Sequence, residues 1–423
     1  MADHTRRDTL KRIGAAGAIG TVGLAGCAQQ SDSESDDEGG DGSGEPIQLG
    51  TLFPITGTNS AYGGGHQQAT NLAVDEINAA GGPLGRQITV TNRDTEGAPS
   101  RAAQKFRTMI NEQGIVGLIG PYSSGIGTTL APIARDNRVM EISNGNTSPA
   151  LADAGINQDD GNKYYGRTAP NDQQQGLVMA RIMNQTLEAE TASFLHIDNP
   201  YGAGLAEVAR ENFDGEALNT VAYSKQTTNY TSTLDQVFED DPDVVGAVMY
   251  PGNGETILTQ WDDGGYGGQW VCGEAINSPE MLSSIADIVE GMYITSPQTA
   301  NNETFQENMG GEENVTLFAP HAYDATYLEA LAMQRGGEAT GTAIAENIRA
   351  VSRPDGTTVG VGEFETAVSE LDADNEINYD GASGSVDLNE NLEPIVPFDI
   401  LEVQDGQPTA VESVPVDYFE GRI

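Results

Sequence analysis

From Ile47 onward, short apolar runs alternate with stretches of helical spacing. Ile47, Leu49, Thr51 and Phe53 fall on alternate positions like a half-buried strand. Ala69, Leu72, Ala73, Ile77 and Ala80 then recur at three- and four-residue spacing up to the stop at Gly81-Gly82-Pro83. Gln87 to Thr91 predicts a second strand, and Ala103, Phe106, Met109 and Ile110 predict a second helix. A third strand follows at Ile115 to Ile119, helical spacing returns through Thr129 to Asp136, and a fourth strand lies near Val139 to Ile142. Such alternation predicts a parallel sheet with helices on both faces.

A second series begins after Gly166-Arg167-Thr168-Ala169-Pro170. Its strands are expected at Ala192 to Ile197, Val221 to Ser224, Val244 to Met249, Trp270 to Cys272 and Met292 to Thr295. The fold class is therefore α/β, with two Rossmann-like lobes in succession. Pro320 to Val351 returns to helical patterning, and Ser383 to Val403 predicts two strands joined by the polar turn Asn389-Glu390-Asn391. In open parallel sheets ligands bind beyond the carboxyl ends of the strands. The loops after Phe53, Ile119, Ile142, Ile197, Met249 and Cys272 are therefore the places to look for chemistry.

Several of those loops carry unusual side chains. Ser123 and Ser124 fall where the first turn of a helix leaves amide groups free, which suits a carboxylate or phosphate; the plainer reading is a capping serine. Asn144-Gly145-Asn146-Thr147-Ser148-Pro149 offers hydroxyl, amide and backbone groups, or is an ordinary Asx-rich turn. Tyr62 and Tyr201 each precede glycine in corresponding loops of the two halves, where a flat ring with a polar tip can border a ligand or simply lie on the surface. Glu274 follows a strand expected to be buried and can neutralise an ammonium group, or be one more exposed acid.

Charge narrows the partners. The 423 residues hold 64 Asp plus Glu against 20 Lys plus Arg, a formal net charge of -44. Nucleic acid, which needs the opposite sign, is excluded as a partner. So acidic a surface fits a protein kept soluble by repulsion, as in salt-loving organisms. At the N-terminus, Thr5-Arg6-Arg7-Asp8-Thr9-Leu10-Lys11 precedes the small and apolar run Ile13 to Gly26, then Leu24-Ala25-Gly26-Cys27. This reads as a twin-arginine export signal over residues 1–26 ending at Cys27 as the lipidation site. Residues 27–45 form an acidic tether without enough apolar surface to fold. Cys272 is left as the single thiol of the exported chain, which excludes a disulfide framework and suits a small buried hydrophobe.

Catalysis finds no support. His66, His196 and His321 are isolated, with no HExxH, CxxC or nucleophile-elbow context, and the glycine-rich stretches lack P-loop and GxGxxG register. Neither a cofactor nor a metal site is implied; Asp387, Asn389 and Asn391 imitate only part of a calcium loop.

The ordered segments "GTLFPITGTNSAYGGG", "AVDEINAAGGPLGRQI", "GLIGPYSSG", "EISNGNTSPAL", "RTAP", "YGAGLAE", "GEAINS" and "EGMYIT" resemble the extracytoplasmic solute-binding proteins of ABC importers, in the leucine/isoleucine/valine branch, over nearly all of residues 46–405. The resemblance implies a type I periplasmic-binding fold whose chain crosses a hinge three times, near Arg167 to Pro170, Ser296 to Ala300 and Gly381 to Ser385. Lobe 1 would comprise 46–168 and 298–382, lobe 2 169–297 and 383–423. It also implies that Ser124 and Thr147 grip an amino-acid carboxylate, that the Asn146 carbonyl and Glu274 take the ammonium, that Tyr62 borders the side-chain pocket and that Tyr201 closes over the ligand. Tyr122 and Ser123 stand where leucine-binding members place apolar residues, and Pro251-Gly252-Asn253-Gly254 replaces a tyrosine-rich stretch. Tyr122, Ser123 and Asn253 are therefore the candidates for an altered side-chain preference.

The expected function is capture of an amino acid, of branched-chain type or related, between two lobes and delivery to an ABC permease with its ATPase subunits, from a lipid anchor on the outer face of the membrane. The alternative is a sensor of the same fold for amides or small carboxylates that reports to a membrane receptor.

Overall fold

The first five strands build one sheet in residues 44–423, the part of the chain that this computed structural model describes. The export signal, Cys27 and the tether up to Ser43 lie outside the described residues. Strands β1 (Ile47–Phe53), β2 (Ile88–Asp94), β3 (Gly117–Ile119), β4 (Met140–Ser143) and β5 (Tyr165–Arg167) order as β2-β1-β3-β4-β5, every pairing parallel. β3, β4 and β5 are buried at every position because helices cover both faces, which is why their apolar runs do not alternate. Helices α1 (Ser60–Ala79), α2 (Pro99–Thr108) and α3 (Ser124–Asn137) make the crossovers. α1 buries His66, Ala69, Ala73 and Ile77 along one stripe, the spacing read from the sequence. The later helix Ala319–Gly336 packs beside α1, so a distant part of the chain completes the first lobe.

The second lobe holds a seven-stranded sheet. β6 (Thr191–Ile197), β7 (Glu216–Tyr223), β8 (Val244–Val248), β9 (Gln269–Cys272) and β10 (Tyr293–Pro297) are parallel, and a small parallel pair, β11 (Thr357–Val359) and β12 (Ile377–Tyr379), stands apart with the first lobe. β13 (Phe398–Gln404) and β14 (Gln407–Val414) add an antiparallel edge, giving β14-β13-β10-β9-β8-β6-β7. Helices α4 (Asp172–Arg181), α5 (Pro200–Glu211), α6 (Thr231–Val237) and α7 (Pro251–Gly264) cover it. Asn171 and Asn199 cap α4 and α5 by accepting from the amides of Gln173 and Gly202. Cys272 is fully buried in this lobe's core.

The C-terminal hairpin is not where its turn residues suggested. The turn lies at Asp405-Gly406, both with positive φ (53° and 72°), a geometry that joins β13 to β14 directly. Asn389 does make an Asx turn, its Oδ1 accepting from the amides of Asn391 and Glu393, but no strand flanks it. Val386, Leu388 and Leu392 instead pack into the first lobe's core, while Val396 and Phe398 join the second. The third crossing therefore falls near Glu393 to Pro397, about ten residues beyond the expected Gly381 to Ser385.

Two buried charges stand out in this frame. Arg167, at the end of β5, and Glu393, at the third crossing, form an ion pair in which both side chains are at most 7% exposed. Arg167 Nη1 also donates to the carbonyls of Asn146 and Ser148, each at 2.9 Å, and Asn171 Nδ2 donates to Glu393 Oε1 at 2.9 Å. Glu141 in β4, by contrast, is fully buried with neither carboxyl oxygen partnered, and burial raises its pKa well above the ordinary 4.5.

Replacing Glu393 by alanine strands the Arg167 guanidinium, and a loss of about 3–5 kcal/mol in unfolding free energy is expected; the double replacement Arg167→Met with Glu393→Leu should recover most of it, measured by denaturant titration. Glu141 works in the other direction. Above pH 4.5 the unfolded chain ionises this carboxyl while the folded chain keeps its proton, so the folded state loses up to about 1.4 kcal/mol per pH unit as pH rises toward the folded value. Glu141→Gln is therefore expected to raise the melting temperature at pH 7 to 8, with the gain vanishing toward pH 4.5.

Candidate functional site

The carboxyl ends of the two sheets face each other, and the loops there leave a small cavity of about 10 Å³ between them. Tyr122, Ser124, Gly145 and Thr147 line it from the first lobe, and Tyr201, Tyr250, Glu274 and Ala275 from the second. The lobes touch around it: Tyr62 Oη donates to the Ala275 carbonyl at 3.3 Å, Ser148 Oγ to the Pro200 carbonyl at 2.8 Å, and Lys225 Nζ to the Gly97 carbonyl at 3.2 Å. The cleft is closed.

The first-lobe wall follows from local sequence. After β3 the chain turns at Gly120 with φ 105°, where a Cβ would meet the Leu52 carbonyl oxygen at 2.6 Å, so only glycine fits. α3 then starts at Ser124 with Ser123 as its N-cap, and Ser123 makes no side-chain capping bond. Ser124 Oγ accepts from the Ser148 amide at 3.3 Å. The amide groups of Ser124 and Thr147 have no hydrogen-bond partner among the described residues, although Ser124 is 2% exposed and Thr147 3%. One free donor at a helix N-terminus and a second on the neighbouring loop favour an anion. Thr147 Oγ1 donates to Asp172 Oδ2 at 2.9 Å, so its hydroxyl proton is taken up within the protein and the backbone amide is the donor it has free.

The second-lobe wall is acidic and aromatic. Glu274 is 2% exposed and opens a short 3₁₀ turn after β9. Its Oε2 accepts from Tyr201 Oη at 3.1 Å, and Tyr201 stacks on Tyr250 with centroids 5.7 Å apart at 17°. Burial raises the Glu274 pKa from its ordinary value, outweighing the hydrogen bonds that lower it. Asp172, behind Thr147 at the start of α4, is raised well above its ordinary value, first by burial and then by the charge of Glu274; its Oδ1 is unpartnered. No lysine or arginine lines the cavity. A cationic group entering it relieves both carboxyls at once.

Among the sequence candidates, Tyr122, Ser124, Thr147, Tyr201 and Glu274 meet at this cavity. Tyr62 stands just outside it, in an aromatic cluster with Tyr122 and Phe318, and reaches the opposite lobe through its hydroxyl. The Asn146 carbonyl already accepts from Arg167, and its side chain donates to the Pro121 carbonyl at 2.8 Å. Ser123 faces an outer part of the cleft with Asn199 and Lys225, and Asn253 donates to Tyr230 Oη at 2.8 Å away from the inner cavity. Tyr250 and Asp172 were missed. Tyr250 ends the predicted strand Val244 to Met249 by one position, and Asp172 follows Pro170-Asn171 at a helix start; both are signals of placement beside the cleft.

The chain is 33% identical over 383 residues, 89% of its own length and 91% of the relative's, to the chemotactic signal transduction system substrate-binding protein BasB of Halobacterium salinarum. A Leu/Ile/Val-binding protein homolog 1 of Brucella suis is 25% identical, covering 78% of this chain and 86% of that one. Among solved structures, the leucine-binding protein LivK of Thermotoga maritima superposes with a TM-score of 0.73 at 22% identity, covering 88% of this chain and 99% of that one, a likeness of fold. The periplasmic binding protein family matches residues 46–378, both lobes and the cavity between them, and the chain belongs to that family of solute-binding proteins.

Proposed function

We propose that this solute-binding protein captures a small α-amino acid by closing its two lobes upon it. The observation that carries the reading is the opposition, across one small cavity, of the free amides at Ser124 and Thr147 and the buried carboxyl group of Glu274. An α-carboxylate suits the first lobe and an α-ammonium the second, so a zwitterion bridges them and favours the closed state. Membership of a solute-binding family supports binding as the function that these residues serve.

Delivery to an ABC permease and its ATPase subunits fits the family and the Leu/Ile/Val-binding relatives. A second reading, in which the closed form reports to a chemosensory receptor, is favoured by the name of the BasB relative. Both need an extracytoplasmic protein held near the membrane, the role assigned to the signal at residues 1–26, the lipid on Cys27 and the acidic tether. Deleting the permease genes should abolish uptake of the ligand and spare taxis if the first reading holds alone; loss of taxis toward the ligand with uptake intact on deleting this protein's gene favours the second.

Calorimetric titration in molar salt against amino acids, amides and small carboxylates should give heat with α-amino acids. Glu274→Ala is expected to weaken them at least about thirtyfold while sparing ligands without an ammonium group. Binding should also be pH-dependent. In the empty cleft burial raises the pKa values of Glu274 and, more strongly, Asp172, and a bound ammonium favours their ionised forms. Affinity is therefore expected to rise as pH increases from about 4.5, with proton release on binding that titration in buffers of different ionisation enthalpy would register.

A further inference from the structure

Tyr122 forms the floor of the cavity and is held there from several sides. Its ring stacks on His66 with centroids 5.3 Å apart at 29°, and lies 5.5 Å from Tyr62 and 6.1 Å from Phe318. Against another side runs the backbone of Gly145, where a Cβ would come within 2.6 Å of Cδ2 of Tyr122. A ring clamped by three aromatic neighbours and a close backbone cannot swing aside to make room. His66 is itself fixed, its Nε2 donating to the Leu317 carbonyl at 2.7 Å, and burial pushes its pKa down to about 4, so the wall behind the phenol is neutral.

The hydroxyl of Tyr122 has no hydrogen-bond partner among the described residues, and the residue lines the same cavity as Glu274 and Ser124. Tyr62 and Tyr201, by comparison, donate to Ala275 and Glu274. The cavity thus ends in a phenol hydroxyl rather than an apolar recess, and the room left beside it, about 10 Å³, is far below the usual range for ligand pockets.

We propose that Tyr122 sets the side-chain preference of the site, and that the ligand is an α-amino acid with a short, hydrogen-bonding side chain of the hydroxyl class rather than a branched aliphatic one. This inference rests on the amino-acid reading above and deepens it. A branched four-carbon side chain needs the space that the ring fills, and it offers the phenol no hydrogen-bond partner. A short hydroxyl side chain needs less of that space and can pair with the phenol. Exclusion of each surplus methylene by such a floor amounts to roughly tenfold or more, and an unmet hydrogen-bonding group adds further discrimination.

The test is calorimetric titration of the purified protein and two variants with serine, threonine, alanine and leucine. The wild type should prefer serine or threonine to leucine by at least about tenfold. Tyr122→Phe keeps the ring and removes the hydroxyl, so the serine-to-alanine affinity ratio should fall about tenfold while leucine stays excluded. Tyr122→Ala opens the floor and should raise the leucine-to-serine ratio by about tenfold or more. Leucine bound by the wild type as tightly as serine, or ratios unmoved by both variants, would overturn this inference and leave amino-acid capture standing. Silence of the wild type toward every α-amino acid would overturn the amino-acid reading and this one with it.

Discussion

An ionised carboxylate taken out of water must find positive charge or take up a proton, and Glu274 is placed so that the protein itself supplies no cation. Tyr201 gives it one hydrogen bond, Asp172 adds a second buried acid nearby, and the cavity wall holds no basic side chain. The closed cleft is consequently unfavourable when empty and favourable when it holds an ammonium group. That difference is what a ligand needs in order to shift a conformational equilibrium, since only differential affinity for the two states does so. The large acidic excess of the chain contributes little here, because exposed charges beyond roughly 10 Å are screened at ordinary ionic strength.

The first lobe answers the second by geometry rather than charge. Its donors are backbone amides at Ser124 and Thr147, which cannot rotate away or change protonation, and they are aimed by the strand ends and by the helix that starts at Ser124. A fixed donor pair is a preorganised site: the ordering cost has been met in folding and is not charged against binding. The flexible chemistry, a long carboxylate and two tyrosines, sits on the opposite wall. Under the proposed reading an amino acid would lie with its carboxylate toward α3 and its ammonium toward β9.

Much of this was legible in the sequence because parallel sheets declare themselves. The apolar runs located most strands of both lobes, though not β5, β11, β12 or β14, and the rule that ligands lie beyond strand carboxyl ends selected the loops that hold Ser124, Thr147, Tyr201 and Glu274. Burial at single positions was not legible. Asp172 reads as one acid among 64, and its interior position comes from α4 docking against the 144–148 loop. Tyr250 was not singled out: it stands one residue beyond the strand expected at Val244 to Met249, and as the N-cap of α7 it lines the cavity. The hairpin was misplaced because an Asx turn at Asn389 and a hairpin turn look alike locally; Asp405-Gly406 carries the stronger signal, two left-handed residues in succession.

The hinge explains why the site keeps its shape while the lobes move. Arg167 donates to the carbonyls on either side of Thr147, at Asn146 and Ser148, and pairs with Glu393 on the third crossing, which Asn171 on the first crossing also holds. One buried guanidinium thus ties the ligand loop of the first lobe to two of the three strands of chain on which the second lobe turns. The contacts that meet only on closure are of another kind. Tyr62 to Ala275, Ser148 to Pro200 and Lys225 to Gly97 are single hydrogen bonds to carbonyls, each worth about 1 kcal/mol net, or up to about 3 for the charged lysine. Contacts of that size steady a closed cleft without locking it. The decision to close is therefore left to whatever neutralises Glu274, and a loop already held by Arg167 presents the same amides to the ligand before the second lobe arrives.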